Sequence, residues 1–200
     1  LQAADSLTFN PTTATIDFNN LPLSQQRGQA FFTTVSSVPL LNSQNNSNAE
    51  INVVDANGDG HLDLVMASTG TQHAYVLIGN GDGTFTPDNQ WVSIGGSPQA
   101  SASADINGDG HIDVCYACRN PDSFRWLLGD GAGGLVTGGS LPAGGYPTSV
   151  HLTDIDGDGD IDASVSSYIG DDFRVYFNDG TGNFASPLIL PAAGGGGCTT

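Results

Sequence analysis

Three stretches decide how this chain folds: Asp55-Ala-Asn-Gly-Asp-Gly-His-Leu-Asp63, Asp105-Ile-Asn-Gly-Asp-Gly-His-Ile-Asp113 and Asp154-Ile-Asp-Gly-Asp-Gly-Asp-Ile-Asp162. Their first residues lie 50 and 49 positions apart, so they read as copies of one unit. A short alternating stretch precedes each copy (Ile51 to Val54, Ser101 to Ala104, Val150 to Thr153), and an apolar run follows it from Leu64, Val114 and Ala163. A second apolar run then ends in a Gly-rich turn, as in Gly79-Asn-Gly-Asp-Gly-Thr-Phe85 and Asn178-Asp-Gly-Thr-Gly-Asn-Phe184. Asn-Gly and Asp-Gly between apolar runs signal hairpins, because both turn residues must tolerate positive φ. Closing strands are expected at Trp91–Ile94 and Leu188–Leu190. Four short strands per roughly 50 residues predict an all-β fold of propeller-like blades, each a set of short antiparallel strands.

The loops carry the chemistry. Alternating positions 1, 3 and 5 offer side-chain oxygens, a glycine at position 6 permits a sharp turn, and position 7 contributes its main-chain carbonyl. Position 7 is therefore free to vary, and it holds His61, His111 and Asp160. Hard oxygen donors on a flexible turn suit Ca²⁺ and do not suit Zn²⁺ or Cu²⁺. An EF-hand would need a bidentate Glu at position 12, where this chain has Met66, Tyr116 and Val165. The remaining carboxylate is expected from position 9: Asp63, Asp113 and Asp162. A reading of these runs as plain acidic turns does not explain three copies in register with every oxygen position filled. Ten Asp side chains sit at these positions, and about three Ca²⁺ would bring the net charge from −17 to −11. Cation binding is then expected to contribute folding free energy.

The pattern of alternating strand, Asp-x-Asn/Asp-Gly-Asp-Gly-x-x-Asp, apolar strand and Gly-Asn-Gly-Asp-Gly-Thr-Phe85 resembles the FG-GAP/VCBS repeats, the calcium-loop blades of integrin-α-like β-propellers. The resemblance implies one Ca²⁺ on Asp55, Asn57, Asp59 and Asp63, a second on Asp105, Asn107, Asp109 and Asp113, and a third on Asp154, Asp156, Asp158 and Asp162. Three repeats, at about residues 50–98, 99–147 and 148–193, fall short of the four or more blades that close a propeller. Three resolutions stay open. Residues 1–49 form a degenerate blade, a neighbouring subunit completes the sheets, or the chain is part of something longer. Within residues 1–49, Ala14, Ile16 and Phe18 alternate with polar neighbours and predict strands, as a partial blade or a donor strand. Residues 194–200 read as a Gly-rich tail bearing Cys198.

Composition narrows the function classes. Asp plus Glu total 21 against 4 Lys plus Arg. The cations are Arg27, Arg119, Arg125 and Arg174, and Glu50 is the only Glu. This balance excludes a nucleic-acid binder working by phosphate neutralisation and a polybasic membrane-surface protein. No apolar run approaches the ~18 residues of a membrane span. Absent Lys, plentiful Asn, Ser and Thr and high acidity favour an extracellular setting, and the start at Leu1 predicts a processed or trimmed product. The sequon Asn45-Asn-Ser47 is a glycosylation candidate, and Pro11-Thr-Thr suits O-glycosylation.

Other side chains invite catalytic readings that their contexts do not support. Cys115 and Cys118 fall on a predicted strand, which puts them on opposite faces, away from the helix N-terminus that a redox pair uses. One is expected in the core and the other paired with Cys198, within the chain or between chains. A glycosidase needs two carboxylates at a set separation, yet nearly every clustered Asp already has a ligand role. His73 and His151 stand alone. Trp91, Trp126, Tyr116, Tyr146 and Tyr168 are expected in blade packing rather than on sugars. The chain thus reads as a secreted, calcium-binding, non-catalytic structural protein that self-associates into an extracellular filament or surface layer. A lectin-like or adhesion module binding glycan or protein through its loops is the alternative.

Overall fold

A computed structural model describes residues 9–10, 15–16, 48–169 and 172–191. Among these residues fourteen strands run in chain order: β1 (Phe9–Asn10), β2 (Thr15–Ile16), β3 (Asn48–Val54), β4 (Asp63–Ser68), β5 (His73–Gly79), β6 (Phe85–Ser93), β7 (Ser97–Ala104), β8 (Asp113–Arg119), β9 (Ser123–Gly129), β10 (Leu135–Pro142), β11 (Pro147–Thr153), β12 (Asp162–Ser167), β13 (Asp172–Tyr176) and β14 (Leu188–Pro191). They form three four-stranded antiparallel meanders, β3–β6, β7–β10 and β11–β14, and a two-stranded β1–β2 pair. The all-β, blade-like architecture expected from the repeat is present, with none of the sheets closed into a barrel. Of residues 1–49, β1, β2 and the first two residues of β3 belong to the described residues, and Ala14 and Phe18 lie outside them.

The repeat extends to irregularities. The first strand of each meander carries a register shift at one equivalent place, between Asn48 and Glu50, Pro98 and Ala100, and Pro147 and Ser149. Prolines within the described strands fall only on first or last strands: Pro87, Pro98, Pro142, Pro147 and Pro191. Those are the sheet edges, where a missing N–H costs no ladder bond. Sheet 1 closes with a strand running from Phe85 to Ser93, longer than the Trp91–Ile94 expected, because the chain re-enters the ladder directly after the Gly-rich turn.

The sheets stack face to face, and strand alternation assigns each side chain to one neighbour. Val65, Ala67 and Val76 of sheet 1 meet Val114, Tyr116 and Leu127 of sheet 2. On the opposite face of sheet 2, Cys115, Ala117, Phe124 and Trp126 meet Val165, Tyr176 and Phe184 of sheet 3. Phe124 is the centre of this second layer, 4.6 Å from the Tyr176 ring, 5.0 Å from Phe184 and 5.3 Å from Trp126. Polar clasps reinforce the layers. Arg125 Nη1 donates to the Ile94 carbonyl of the preceding sheet at 3.0 Å. At the next interface, Arg174 Nη1 and the Tyr176 hydroxyl donate to the Pro142 carbonyl at 3.2 and 2.9 Å.

Two aromatic expectations need correction. Tyr116 and Trp126 lie in the core, but Trp91 and Tyr168 are largely exposed. Trp91 lies on the face of sheet 1 that turns away from sheet 2, so sheet 2 cannot cover it. Tyr168 follows β12 and stands edge-on to Tyr146, whose ring carries the Arg119 guanidinium at 3.6 Å.

Replacing Phe124 by Ala should cost about 3–5 kcal/mol through lost burial and the cavity left behind. Val136→Ala, at an exposed site of β10, should stay within about 0.5 kcal/mol. Urea unfolding followed by circular dichroism measures both; equal effects would mean that the Phe124 layer is not the core.

Candidate functional site

Each Asp-rich loop joins the first and second strands of its sheet, so the three copies occupy equivalent positions in the stack. Glycine makes the turn possible: Gly58 and Gly60 sit at φ of +73° and +86°, a region that side chains with a Cβ resist. The position 1 carboxylate organises the interior. Asp55 accepts the Gly58 N–H on Oδ1 at 2.8 Å and the Gly60 N–H on Oδ2 at 2.9 Å. Asp105 does the same with Gly108 and Gly110, and Asp154 with Gly157 and Gly159. At position 5, Asp59, Asp109 and Asp158 accept the N–H of His61, His111 and Asp160 at 2.8, 2.8 and 2.9 Å.

Position 9 does something spacing did not reveal. Asp63, Asp113 and Asp162 are fully buried. Oδ2 of Asp113 accepts the Ile106 N–H at 2.9 Å, and Oδ1 accepts the Gly129 N–H at 2.7 Å. Asp63 ties Ala56 to Gly79 in the same way, and Asp162 ties Ile155 to Asn178. One carboxylate thus locks the loop to the end of the third strand in every sheet. That strand comes very close: a Cβ on Gly129 would lie 2.3 Å from the Ile112 carbonyl oxygen, and one on Gly79 2.1 Å from that of Leu62. Sheet 3 has Asn178 at this place, and its amide donates to the equivalent Ile161 carbonyl at 3.0 Å and to Ile106 of the preceding loop. Gly79, Gly129 and Asn178 are functional positions that the sequence reading missed. Alignment of the three Gly-rich turns holds the signal, since all three occupy one column.

The position 7 imidazoles turn to the neighbouring hairpin of their own sheet. A Cβ on Gly81 would lie 2.5 Å from His61 Cε1, and one on Gly131 2.2 Å from His111 Cε1. In the third sheet the Asp160 carboxylate takes that place over Gly180.

The electrostatics differ between copies. Hydrogen bonds from the Asn57 side chain and the His61 N–H hold the Asp59 carboxyl below the usual range, and His111 and Asn107 do the same for Asp109. Loop 3 has Asp156 where the others have Asn57 and Asn107. Lost hydration, followed by the charges of Asp158, Asp162 and Asp154, raises Asp156, and Asp160 is raised by the same kinds of cause. Carboxylate oxygens of Asp154, Asp156 and Asp162 all lie within 4.8 Å of one another. Such crowding of acceptors without a basic partner suits a hard divalent cation, and the donor set contains no sulfur and no imidazole nitrogen facing it. Asp154, Asp156, Asp158 and Asp162 would hold the ion in loop 3, with their counterparts in loops 1 and 2.

A family model described as an FG-GAP-like repeat matches residues 55–116 and 105–165. The chain belongs to the FG-GAP-like repeat family. The matched stretches start at the first and second loops, and the second runs through the third loop without scoring it as a separate copy. Repeats of this family occur in extracellular adhesion and binding modules and often bind Ca²⁺. A search of curated proteins returned no match.

The remaining expected site residues fall elsewhere. Cys115 and Cys118 lie on β8 with their side chains in opposite core layers, as strand alternation requires. Burial raises both thiols, Cys115 strongly and Cys118 to about 12, which keeps them protonated and unreactive. Cys198, the partner expected for one of them, and the sequon Asn45 lie outside the described residues. Glu50 faces sheet 2 and accepts from the Ser101 hydroxyl at 3.4 Å. No described helix is long and apolar enough to cross a membrane.

Positions 5 and 9 should therefore separate experimentally. In chelator, Asp113→Ala leaves two buried N–H groups unpaired and should lower stability by about 2–5 kcal/mol. Asp109→Ala, on the exposed rim, should change the chelated protein little. Thermal unfolding of both in chelator tests this, and equal losses would remove the distinction.

Proposed function

We propose that this FG-GAP-like chain is a calcium-stabilised, non-catalytic structural protein that works outside the cell by presenting and joining surfaces. The observation that carries this reading is the buried position 9 clamp, which places an oxygen-rich loop in the same setting three times over. A cation in each loop would neutralise the carboxylates of positions 1, 5 and 9, which otherwise repel. It would also fix the segment between the first two strands, so calcium would act on folding rather than on chemistry.

Several features agree with a non-catalytic role. The clustered carboxylates are engaged with main-chain N–H groups, and the buried thiols are held protonated. Glu50 is occupied with Ser101 between two sheets. The occurrence of this family in extracellular proteins and a net charge of −17 without lysine support an extracellular setting. The lectin-like alternative would use exposed aromatic rings such as Trp91, which stands edge-on to His73 at 4.3 Å.

Calcium titration is the test. Isothermal calorimetry should find about three sites, and Asp109→Ala and Asp158→Ala should each remove one. At a hundredfold excess over Kd, each filled site should add about 2.7 kcal/mol of stability. An unfolding temperature that does not rise with Ca²⁺ would overturn the proposal. A glycan array with saturable binding that depends on Trp91 would favour the lectin reading.

A further inference from the structure

Among the described residues no sheet covers either end of the stack, and the two end faces match the two faces of an interface already inside the chain. At the interface between sheets 2 and 3, the front of sheet 3 presents Val150, Leu152 and Ile161 to the back of sheet 2. Val150 is 4% exposed there. Counted from the loops, the same three positions in sheet 1 are Ile51, Val53 and Leu62. No sheet precedes them among the described residues, and they are 55%, 57% and 63% exposed. On the other side of the interface, position 2 of each loop belongs to the back face. Ala56 and Ile106 are buried under the following sheet, at 6% and 1% exposed. Ile155, the third copy, is 41% exposed.

The shape of the two back faces also agrees. Sheet 2 has small residues on its first two strands (Ala100, Ala102, Ala117) and bulky ones on its third (Phe124, Trp126). Sheet 3 has Ser149, His151, Ser164 and Ser166 on its first two strands, Phe173 and Val175 on its third, and adds Leu188 and Leu190 on its fourth. The hydroxyls of Ser149 and Ser166 bond each other at 2.6 Å, so this part of the face is already satisfied. None of these residues bears a carboxylate, in a chain whose net charge is −17. An uncharged, partly apolar face on so acidic a protein marks an interaction surface.

We propose that the back of sheet 3 docks on the front of sheet 1 of a second copy, repeating between chains the contact that sheets 2 and 3 make within one. Ile155 would take the place that Ile106 has inside the chain, and Ile51 and Val53 those of Val150 and Leu152. The contact joins two different faces, so it is heterologous: each added copy presents a fresh front or back, and growth gives a ring or a filament. This deepens the structural reading above and rests on it.

Light scattering of the full chain in Ca²⁺ across a concentration series is the first readout, with negative-stain microscopy beside it. Wild type should grow well beyond the 20.5 kDa chain mass. Val53→Arg blocks the front and Leu190→Asp the back, and each alone should stay monomeric, with at least a tenfold loss of association. Mixed together, the two variants should form dimers and nothing larger, since one free front meets one free back. Calcium uptake by calorimetry reports that each variant is folded, and Ile51→Lys with Leu188→Asp replaces any that is not. A wild type that stays monomeric overturns the contact, as it would if the chain's own residues 1–47 covered sheet 1. Assembly blocked by Val53→Arg but not by Leu190→Asp also overturns it, in favour of a front-to-front dimer. Failed assembly with intact calcium uptake sinks only this contact, whereas lost calcium uptake in wild type sinks the function on which it rests.

Discussion

A buried carboxylate that ties the loop to the third strand of its sheet is the constraint from which the rest of this molecule follows. Asp113 is buried, and lost hydration raises its pKa despite the two N–H groups that partly compensate. The fold accepts this because each oxygen fixes a different segment, one in the loop and one at the end of β9. The same geometry at Asp63 and Asp162 makes every sheet a closed unit in which turn, hairpin and second strand are mutually positioned. The glycine or asparagine opposite is then dictated by space, since the third strand must come within van der Waals reach of the position 8 carbonyl.

This arrangement divides labour around the loop. Positions 1 and 5 turn their oxygens to the loop's own N–H groups at the solvent edge, while position 9 works from inside. The loops are also not identical in company. Asn57 and Asn107 lie against the next sheet's hairpin, 3.8 and 3.2 Å from a Cβ placed on Gly133 and Gly182. Loop 3 has no following hairpin among the described residues, and it is the loop with the extra carboxylate at Asp156. Its counterparts Asn57 and Asn107 are uncharged and lie beside a neighbouring hairpin, where a carboxylate would give up hydration.

Much of this was legible in the sequence, for reasons that are physical rather than statistical. Period-2 alternation, Asn-Gly turns and a 50-residue repeat determine strands, hairpins and blades through local geometry alone, and the opposite faces of Cys115 and Cys118 follow from strand alternation. The position 9 clamp was not legible, because a motif shows that a carboxylate can ligate and not that its oxygens also accept main-chain N–H groups. Its partner, Gly129, lies 16 residues away. Trp91 was misjudged for a related reason. It was expected in blade packing, but whether a face is covered depends on what stands beyond the first sheet, which no local pattern in β6 records.

The central position of sheet 2 has a kinetic consequence. Val114, Cys115, Tyr116, Ala117 and Cys118 form an unbroken run along β8 with no solvent exposure, flanked by a layer on either side. Among the described residues, sheets 1 and 3 each share one interface, whereas sheet 2 is held by two. Each sheet is a meander of adjacent strands, so its own contacts are local in sequence and form quickly, and the slow steps of folding are the two dockings. The order of loss is therefore built into the stack: the ends fray first, and the middle sheet is the last memory of the fold.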